Sequence, residues 1–174
     1  MSRYFLTKLR VEGFRGINND GDPLELLFKR DITNSVFGEN GRGKSSIFEA
    51  LSYAMTGKIP KLAALPAEEN ADEYYCNRFH SLEEATINLT VEPDSGGNLI
   101  EIRVKRDKTG TRTVDSPSGY AEPEKILQVL ATELTLLDYS TFRHSSKIAP
   151  SSEAEHSRRY LVSRTSHLCG KRWK

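Results

Sequence analysis

A glycine-rich segment at residues 38–45 constrains this chain more than any other part of its sequence. It reads Gly-Glu-Asn-Gly-Arg-Gly-Lys-Ser, which fits the pattern G-x-x-x-x-G-K-[ST] of a phosphate-binding loop. Its glycines let the backbone wrap closely around an anion, so that consecutive N–H groups and the positive end of the following helix point at phosphate oxygens. The pattern therefore predicts that the chain binds a nucleoside triphosphate.

Two side chains at the end of the loop have predicted roles in nucleotide binding. Lys44 is placed to reach the β- and γ-phosphates and is the one predicted catalytic residue, while the hydroxyl of Ser45 is placed to ligate Mg²⁺. Ser46 adds a hydroxyl without an assigned role. The predicted cofactors are ATP and Mg²⁺, and the predicted cofactor-binding residues of the loop are Gly38, Glu39, Asn40, Gly41, Arg42, Gly43, Lys44, Ser45 and Ser46.

The sequence on either side of the loop predicts a strand before it and a helix after it. Residues 32–37 form a short segment that ends in Val36-Phe37, although the polar run 33–35 is unusual for a central parallel strand. Residues 45–56 place apolar side chains at positions i, i+3, i+4 and i+7, and Gly57 follows as a helix stop. Strand, loop and helix in this order are the context that a phosphate-binding loop requires, and they predict an α/β fold.

Three stretches carry a resemblance to a known family: residues 4–11 (YFLTKLRV), residues 12–17 (EGFRGI) and the loop in the form G-x-N-G-x-G-K-S-S. Over roughly residues 2–59 the chain resembles the amino-terminal ATPase segment of the SMC, SbcC and RecF group of DNA-repair and chromosome-structure ATPases. The resemblance implies a P-loop NTPase of ABC type, whose first lobe has a mixed sheet and an antiparallel β-meander. It also places Arg15 at the family's basic residue near the nucleotide phosphates, and a solvated loop arginine is the alternative.

The resemblance also implies partners. In the family the ATPase head is split, and a long coiled coil or insertion separates an N-terminal part with the phosphate loop from a C-terminal part with the signature and Walker B motifs. Neither motif is identified in the 174 residues. The expected partners are therefore a C-terminal ATPase half or nuclease subunit and a second ATPase in a homo- or heterodimer through the nucleotide site, with DNA as a further candidate.

Composition bounds the remaining possibilities. The 174 residues suffice for one compact domain but not for a split head with a coiled coil, and 25 basic against 24 acidic residues give no overall positive charge that would favour nucleic acid. Cys76 and Cys169 fit no metal-binding pattern, and no leader or long apolar run is found. The expectation is a reduced, intracellular protein, cytoplasmic or nucleoid-associated, with no membrane partner.

The middle of the chain predicts a three-stranded antiparallel meander. Residues 86–92 and 100–104 alternate between apolar and polar side chains, and glycine-containing turns lie at 94–97 and 107–110, before a third strand at 112–114. Positive charge concentrates around the second turn, on Arg103, Lys105, Arg106, Lys108 and Arg112. This cluster is interpreted as the solvated edge of a sheet in preference to a DNA contact, because acidic residues interrupt it and no aromatic residue lies within it.

The last part of the chain predicts a helix, a second candidate metal ligand and a tail. Residues 123–134 are predicted to form a helix, because they begin with a proline suited to a first helical turn and place Ile126, Leu127, Leu130 and Leu134 in one apolar stripe. Residues 134–139 could be a strand that ends in Asp138 as a Walker B carboxylate for Mg²⁺, or the strand that leads to the family's Q-loop. Residues 1–150 are thus predicted to be the ATP-binding lobe, and residues 151–174 a basic, weakly ordered tail.

Three functional hypotheses follow from these features. The first is the N-terminal portion of a DNA-associated ATPase, whose hydrolysis needs a second polypeptide segment. The second is a self-sufficient small P-loop NTPase or kinase that uses Asp138. The third is a non-enzymatic, nucleotide-gated interaction module with its partner site in residues 151–174.

Overall fold

The computed structural model describes residues 3–39, 41, 43–66, 69–82, 84–134 and 136, which belong to one compact unit, Met1–Leu136. The strands and helices of these residues are β1 Tyr4–Glu12, β2 Leu24–Leu27, α1 Lys44–Thr56, α2 Pro60–Ala63, a 3₁₀ helix Ala71–Tyr74, β3 Glu84–Pro93, β4 Ile100–Asp107, β5 Arg112–Asp115 and α3 Pro123–Glu133. No helix among them is long and apolar enough to cross a membrane.

The five strands form one sheet in the order β2-β1-β3-β4-β5, and every neighbouring pair is antiparallel. The described strands therefore do not form the mixed sheet that the family resemblance implied. The meander of β3, β4 and β5 is the one predicted from alternation, with Ile87 opposite Val104 and Val104 opposite Val114. Along β3, every second side chain is buried. This period of two turns one face of the sheet toward the core and the other toward solvent.

The core lies between that inner face and the helices α1 and α3. Helix α3 begins at Pro123, as predicted, and buries Ile126, Leu127 and Leu130 as one stripe. In α1, Tyr53 is 1% exposed and its ring contacts those of Phe14 and Tyr75. These apolar contacts fix α1, and therefore the loop before it, against the sheet.

The prediction of a strand at residues 32–37 is wrong for the described structure, because this segment forms no β-ladder hydrogen bonds. Instead, Asn34 Oδ1 accepts a hydrogen bond from the N–H of Lys29 at 3.0 Å, and Asn34 Nδ2 donates to the carbonyl of Lys29 at 2.9 Å, which holds the segment as a loop. Apolar side chains remain exposed along it, including Phe37 at 85%. A strand requires a neighbour for its N–H and C=O groups, and the described part of the sheet supplies none at this position.

Candidate functional site

The phosphate-binding loop leads into α1 through a left-handed turn. Gly41 and Gly43 have φ of 82° and 80°, values that glycine adopts without strain. Gly43 is the N-cap, so no side chain caps the first turn of α1, and that turn contains no acidic residue. The N–H groups and positive dipole end of α1 are therefore presented to an anion rather than neutralised by the chain itself.

Lys44 closes the loop. Its ammonium donates to the carbonyl oxygens of Gly38 and Glu39, both at 2.6 Å. The positive charge thus lies within the loop, where a phosphate group could replace either carbonyl as acceptor. This arrangement fits the predicted contact between Lys44 and the β- and γ-phosphates.

The two serines at the start of α1 have different surroundings. Ser45 lines a cavity beside the helix. Ser46 is 8% exposed, and its hydroxyl accepts a hydrogen bond from the N–H of Gly16 at 3.2 Å. Ser46 was predicted as a cofactor-binding residue, with no assigned role for its hydroxyl. In the structure that hydroxyl ties the turn after β1 to the start of α1, across a separation of 30 residues.

That turn carries Arg15 in a left-handed conformation, with φ of 54°. The N–H of Arg15 donates to the carbonyl of Tyr75 at 2.9 Å, and its own carbonyl accepts from the amide of Asn77 at 2.7 Å. Left-handed backbone is strained for a residue with a side chain, and it persists where surrounding contacts enforce it. The position of Arg15 is therefore imposed by the loop at residues 74–77.

The guanidinium of Arg15 lies against α1. Its Nε donates to Glu49 Oε2 at 2.8 Å, and its Nη1 donates to the carbonyl of Tyr74 at 3.0 Å. With 23% of its side chain exposed, Arg15 is not the fully solvated arginine of the alternative interpretation. Sequence reasoning missed Glu49, although an acid four residues after Ser45, flanked by the apolar residues 47–48 and 50–51, was a signal.

Arg15, Ser45, Ser46 and Glu49 border one open cavity of about 870 Å³. It lies beside the start of α1 and is closed on another side by the loop after the 3₁₀ helix; its walls include Arg15, Ser45, Glu49, Lys61, Tyr74 and Phe79. Phe79 is 70% exposed, with the guanidinium of Arg78 4.7 Å from its ring centre. The cavity combines cations, two carboxylates, two serine hydroxyls and exposed aromatic rings, so its lining offers both polar groups and planar apolar surface to a ligand.

Cys76 also lines this cavity, but its thiol serves packing. It is 5% exposed, and its sulfur donates to the carbonyl of Arg106 at 3.2 Å. Burial raises the pKa of Cys76, so the thiol form dominates at neutral pH. The residue is therefore not set up as a nucleophile.

The donor set fits a nucleotide with Mg²⁺. An uncapped helix N-terminus and Lys44 suit phosphate oxygens, and the hydroxyl of Ser45 suits a cation that is shared with those phosphates. Three predicted site residues, Asn40, Arg42 and Asp138, lie outside the described residues. So do the predicted tail at 151–174 and most of the predicted strand at 134–139, of which Leu134 is described as the C-cap of α3 and Leu136 lies outside any strand.

A second group of titratable residues lies at the far end of the turn that carries Arg15. His80 Nε2 is 3.4 Å from Glu12 Oε1 and 3.3 Å from Asp20 Oδ1. The N–H of Leu82 donates to Nδ1 of the same ring at 3.3 Å, so Nδ1 is the unprotonated nitrogen and Nε2 carries the proton. A metal would need the lone pair of Nε2, and a histidine ligand usually donates through its other nitrogen. The ring therefore hydrogen-bonds the carboxylate of Glu12 and lies beside that of Asp20.

The basic cluster on the meander is neutralised by acidic neighbours. Arg106 is buried at 8% exposure, because it shares the inner face of β4 with Ile102 and Val104. Within the cluster, Arg103 pairs with Asp115 at 2.5 Å, Lys105 with Glu84 at 2.8 Å, Arg112 with Glu124 at 2.6 Å, and Arg106 with Asp72. This pairing favours the charged sheet edge over a phosphate-backbone contact.

Comparison with known proteins places this chain in a family. Residues 8–158 match the family model AAA_23, described as an AAA domain, and the chain belongs to that family. The chain is 26% identical over 123 residues to the DNA repair protein RAD50 of Drosophila melanogaster, a match that covers 66% of this chain and 9% of RAD50. It is 27% identical over 125 residues to the DNA replication and repair protein RecF of Francisella tularensis subsp. novicida, covering 69% of this chain and 34% of RecF.

Solved structures show the same fold. A structure reported under the heading "Structural biochemistry of ATP-driven dimerization and DNA stimulated activation of SMC ATPases" superposes with a TM-score of 0.60 at 18% identity, over 90% of this chain and 96% of that one. The α/β fold class and the resemblance to the SMC, SbcC and RecF group are thus confirmed. Family membership implies nucleotide binding. The chain spans about a tenth of RAD50 and a third of RecF.

Proposed function

We propose that this chain is the ATP-binding N-terminal portion of an SMC- or RAD50-type ATPase that acts in DNA repair or chromosome maintenance. The observation that carries the proposal is the position of the Lys44 ammonium, held by two loop carbonyls at the uncapped start of α1. An ammonium, several backbone N–H groups and a helix dipole then act on the same anion. Cellular placement in the cytoplasm or on the nucleoid follows from the same proposal.

In this proposal each residue of the site has one task. Lys44 exchanges its carbonyl partners for oxygens of the β- and γ-phosphates, and the N–H groups at the start of α1 bind the same phosphate chain. The hydroxyl of Ser45 is the protein ligand of Mg²⁺. When bound, the metal neutralises charge on the phosphates; the residues of this chain supply position and charge, which are the main demands of phosphoryl transfer.

Hydrolysis is proposed to require a second segment with signature and Walker B groups, from the same longer protein or from a partner. Support comes from residues 32–37, which precede the loop and expose the apolar side chains Ile32, Val36 and Phe37. A segment that pairs with them as a strand would bury those side chains and satisfy their backbone groups. Candidate sources are a C-terminal ATPase half, a nuclease subunit or a second copy of the head, with DNA as a further partner.

Calorimetric titration with Mg-ATP tests the binding step. Lys44→Ala should weaken ATP affinity by at least tenfold, because it removes a charged donor from the phosphates. Lys125→Ala is the matched control, since the ammonium of Lys125 pairs with Glu122 on α3 and not with the loop. Equal affinity of the two variants would contradict the proposed site.

Single-turnover hydrolysis tests the need for a second segment. The chain alone should bind ATP and hydrolyse it slowly. Brisk turnover by the chain alone would refute the requirement, and its loss in Asp138→Ala would then assign the reaction to a self-sufficient NTPase.

A further inference from the structure

Glu49 is a buried acid for which the proposed function supplies no role. It lies in α1, and only 5% of its side chain is exposed. Because it follows Ser45 by four residues, it lies on the same face of the helix, one turn behind the predicted Mg²⁺ ligand. A buried carboxylate is unfavourable unless it is paired, and near a triphosphate it would also repel the ligand. Its place beside the site therefore calls for a compensating contact.

Arg15 is the main partner of that carboxylate. The Nε–H of Arg15 donates to Glu49 Oε2 at 2.8 Å, whereas the ammonium of Lys61 lies 3.5 Å from Oε1 and its side chain is 62% exposed. The guanidinium is also anchored by its bond to the carbonyl of Tyr74 at 3.0 Å. Arg15 is thus held from two sides, by α1 and by the end of the 3₁₀ helix.

This anchoring leaves Arg15 able to bind an anion. A guanidinium has five N–H donors in a fixed plane, and the bonds to Glu49 and Tyr74 use two different nitrogen atoms. Arg15, Glu49 and Ser45 line the same cavity. A side chain already fixed in one conformation loses little freedom when it binds a ligand, which favours binding.

We propose that Glu49 is a positioning residue for Arg15, which it fixes at the wall of the cavity so that the guanidinium binds the triphosphate. The inference rests on the proposed nucleotide-binding function. A role in positioning and a purely electrostatic role predict opposite effects on ATP binding when Glu49 is neutralised. If Glu49 acted only through its negative charge, its removal beside an anion site would tighten binding. If Glu49 positions Arg15, loss of that contact should weaken binding.

A double-mutant cycle on Mg-ATP affinity tests the inference. Arg15→Ala should weaken binding about tenfold, the effect of one charge-assisted hydrogen bond. Glu49→Gln should weaken binding about three- to tenfold in the unaltered chain but less than about twofold when Arg15 is already alanine. An equal loss in both backgrounds would show that Glu49 does not act through Arg15 and would overturn the inference.

Glu73→Gln is the control for charge. Glu73 lines the same cavity, and its carboxylate accepts a hydrogen bond from Asn70 at 3.1 Å. Removal of the negative charge of Glu73 should tighten ATP binding slightly, by less than about threefold, as expected for a partly solvated charge. If Glu49→Gln tightens binding in the same way, Glu49 acts only as a negative charge and the inference is wrong.

Two further measurements keep the test decisive. Thermal unfolding checks that each variant folds; should Glu49→Gln fail to fold, Glu49→Asp retains the buried charge with a shorter reach and should also weaken ATP binding. An aspartate variant that binds ATP as tightly as the unaltered chain would overturn the inference. If the unaltered chain fails to bind Mg-ATP, the proposed function is refuted and this inference with it; if it binds and Glu49→Gln binds equally well, only the inference is refuted.

Discussion

Gly13 joins β1 to the turn that carries Arg15, and the structure predicts that even one methyl group there is destabilising. Its φ is 64°, and a Cβ atom at this position would lie 2.4 Å from the carbonyl oxygen of Glu84 and 2.9 Å from Cγ of His80. Neither neighbour can retreat cheaply, because one is backbone of β3 and the other is a side chain with 1% exposure. We therefore expect Gly13→Ala to distort the turn.

The expected loss of stability in Gly13→Ala has two contributions. A residue with a side chain in the left-handed region costs about 1–2 kcal/mol relative to glycine. Overpacking of a site that cannot relax costs about 1–3 kcal/mol more. The sum, about 2–5 kcal/mol, is a large part of the roughly 5–15 kcal/mol by which a domain is usually stable.

Urea unfolding followed by circular dichroism measures this loss. Gly21→Ala is the matched control: its φ is 71°, and apart from its two chain neighbours no described residue has an atom within 4 Å of the added methyl group, so it reports the backbone cost alone. Gly13→Ala should be less stable than Gly21→Ala by about 1–3 kcal/mol. Equal stability of the two variants would refute the close approach of this turn to β3 and His80.

Two further predictions concern the charged residues of β4. Arg106→Ala should destabilise the fold by about 2–4 kcal/mol in urea unfolding, because the buried guanidinium donates to the Tyr53 hydroxyl at 3.2 Å and pairs with Asp72; a loss below about 1 kcal/mol would contradict this packing role. The hydrogen bond from Arg103 lowers the pKa of Asp115 in the folded state, so its contribution to stability is complete above the ordinary aspartate range and is lost as pH falls through the lowered value. The unaltered chain should therefore lose stability more steeply below about pH 4 than Asp115→Asn, and parallel curves of unfolding free energy against pH would exclude the effect.

The parts of the fold that sequence predicted correctly are those specified by neighbouring residues. The loop and α1, the meander of β3 to β5 and the helix that starts at Pro123 each follow from a local period or a turn residue. The predicted strand at residues 32–37 failed for the opposite reason. A strand depends on a partner that local sequence does not describe, and in the described structure Asn34 bonds the backbone of Lys29 instead.

The predicted site residues also fall into those that a local motif specifies and those whose contacts depend on tertiary structure. Sequence placed Lys44 and Ser45 from motif spacing alone, because a phosphate-binding loop is a continuous stretch of chain. It named Arg15 only through a family resemblance and gave Ser46 no role. The contacts of these two residues join positions 34 and 30 apart, and those contacts appear only when α1 packs beside the turn after β1.

The sequence by itself predicted where an anion would be bound, since glycines, a lysine and a helix start in that order present N–H groups and positive charge whatever lies around them. Tertiary structure alone decided that Glu49 holds Arg15, that Ser46 ties two segments together and that Arg106 is buried rather than on the surface. The physical reason is that burial and pairing of charges depend on contacts between segments that are distant in sequence. Hydrophobic packing of the core determines which of these segments come into contact.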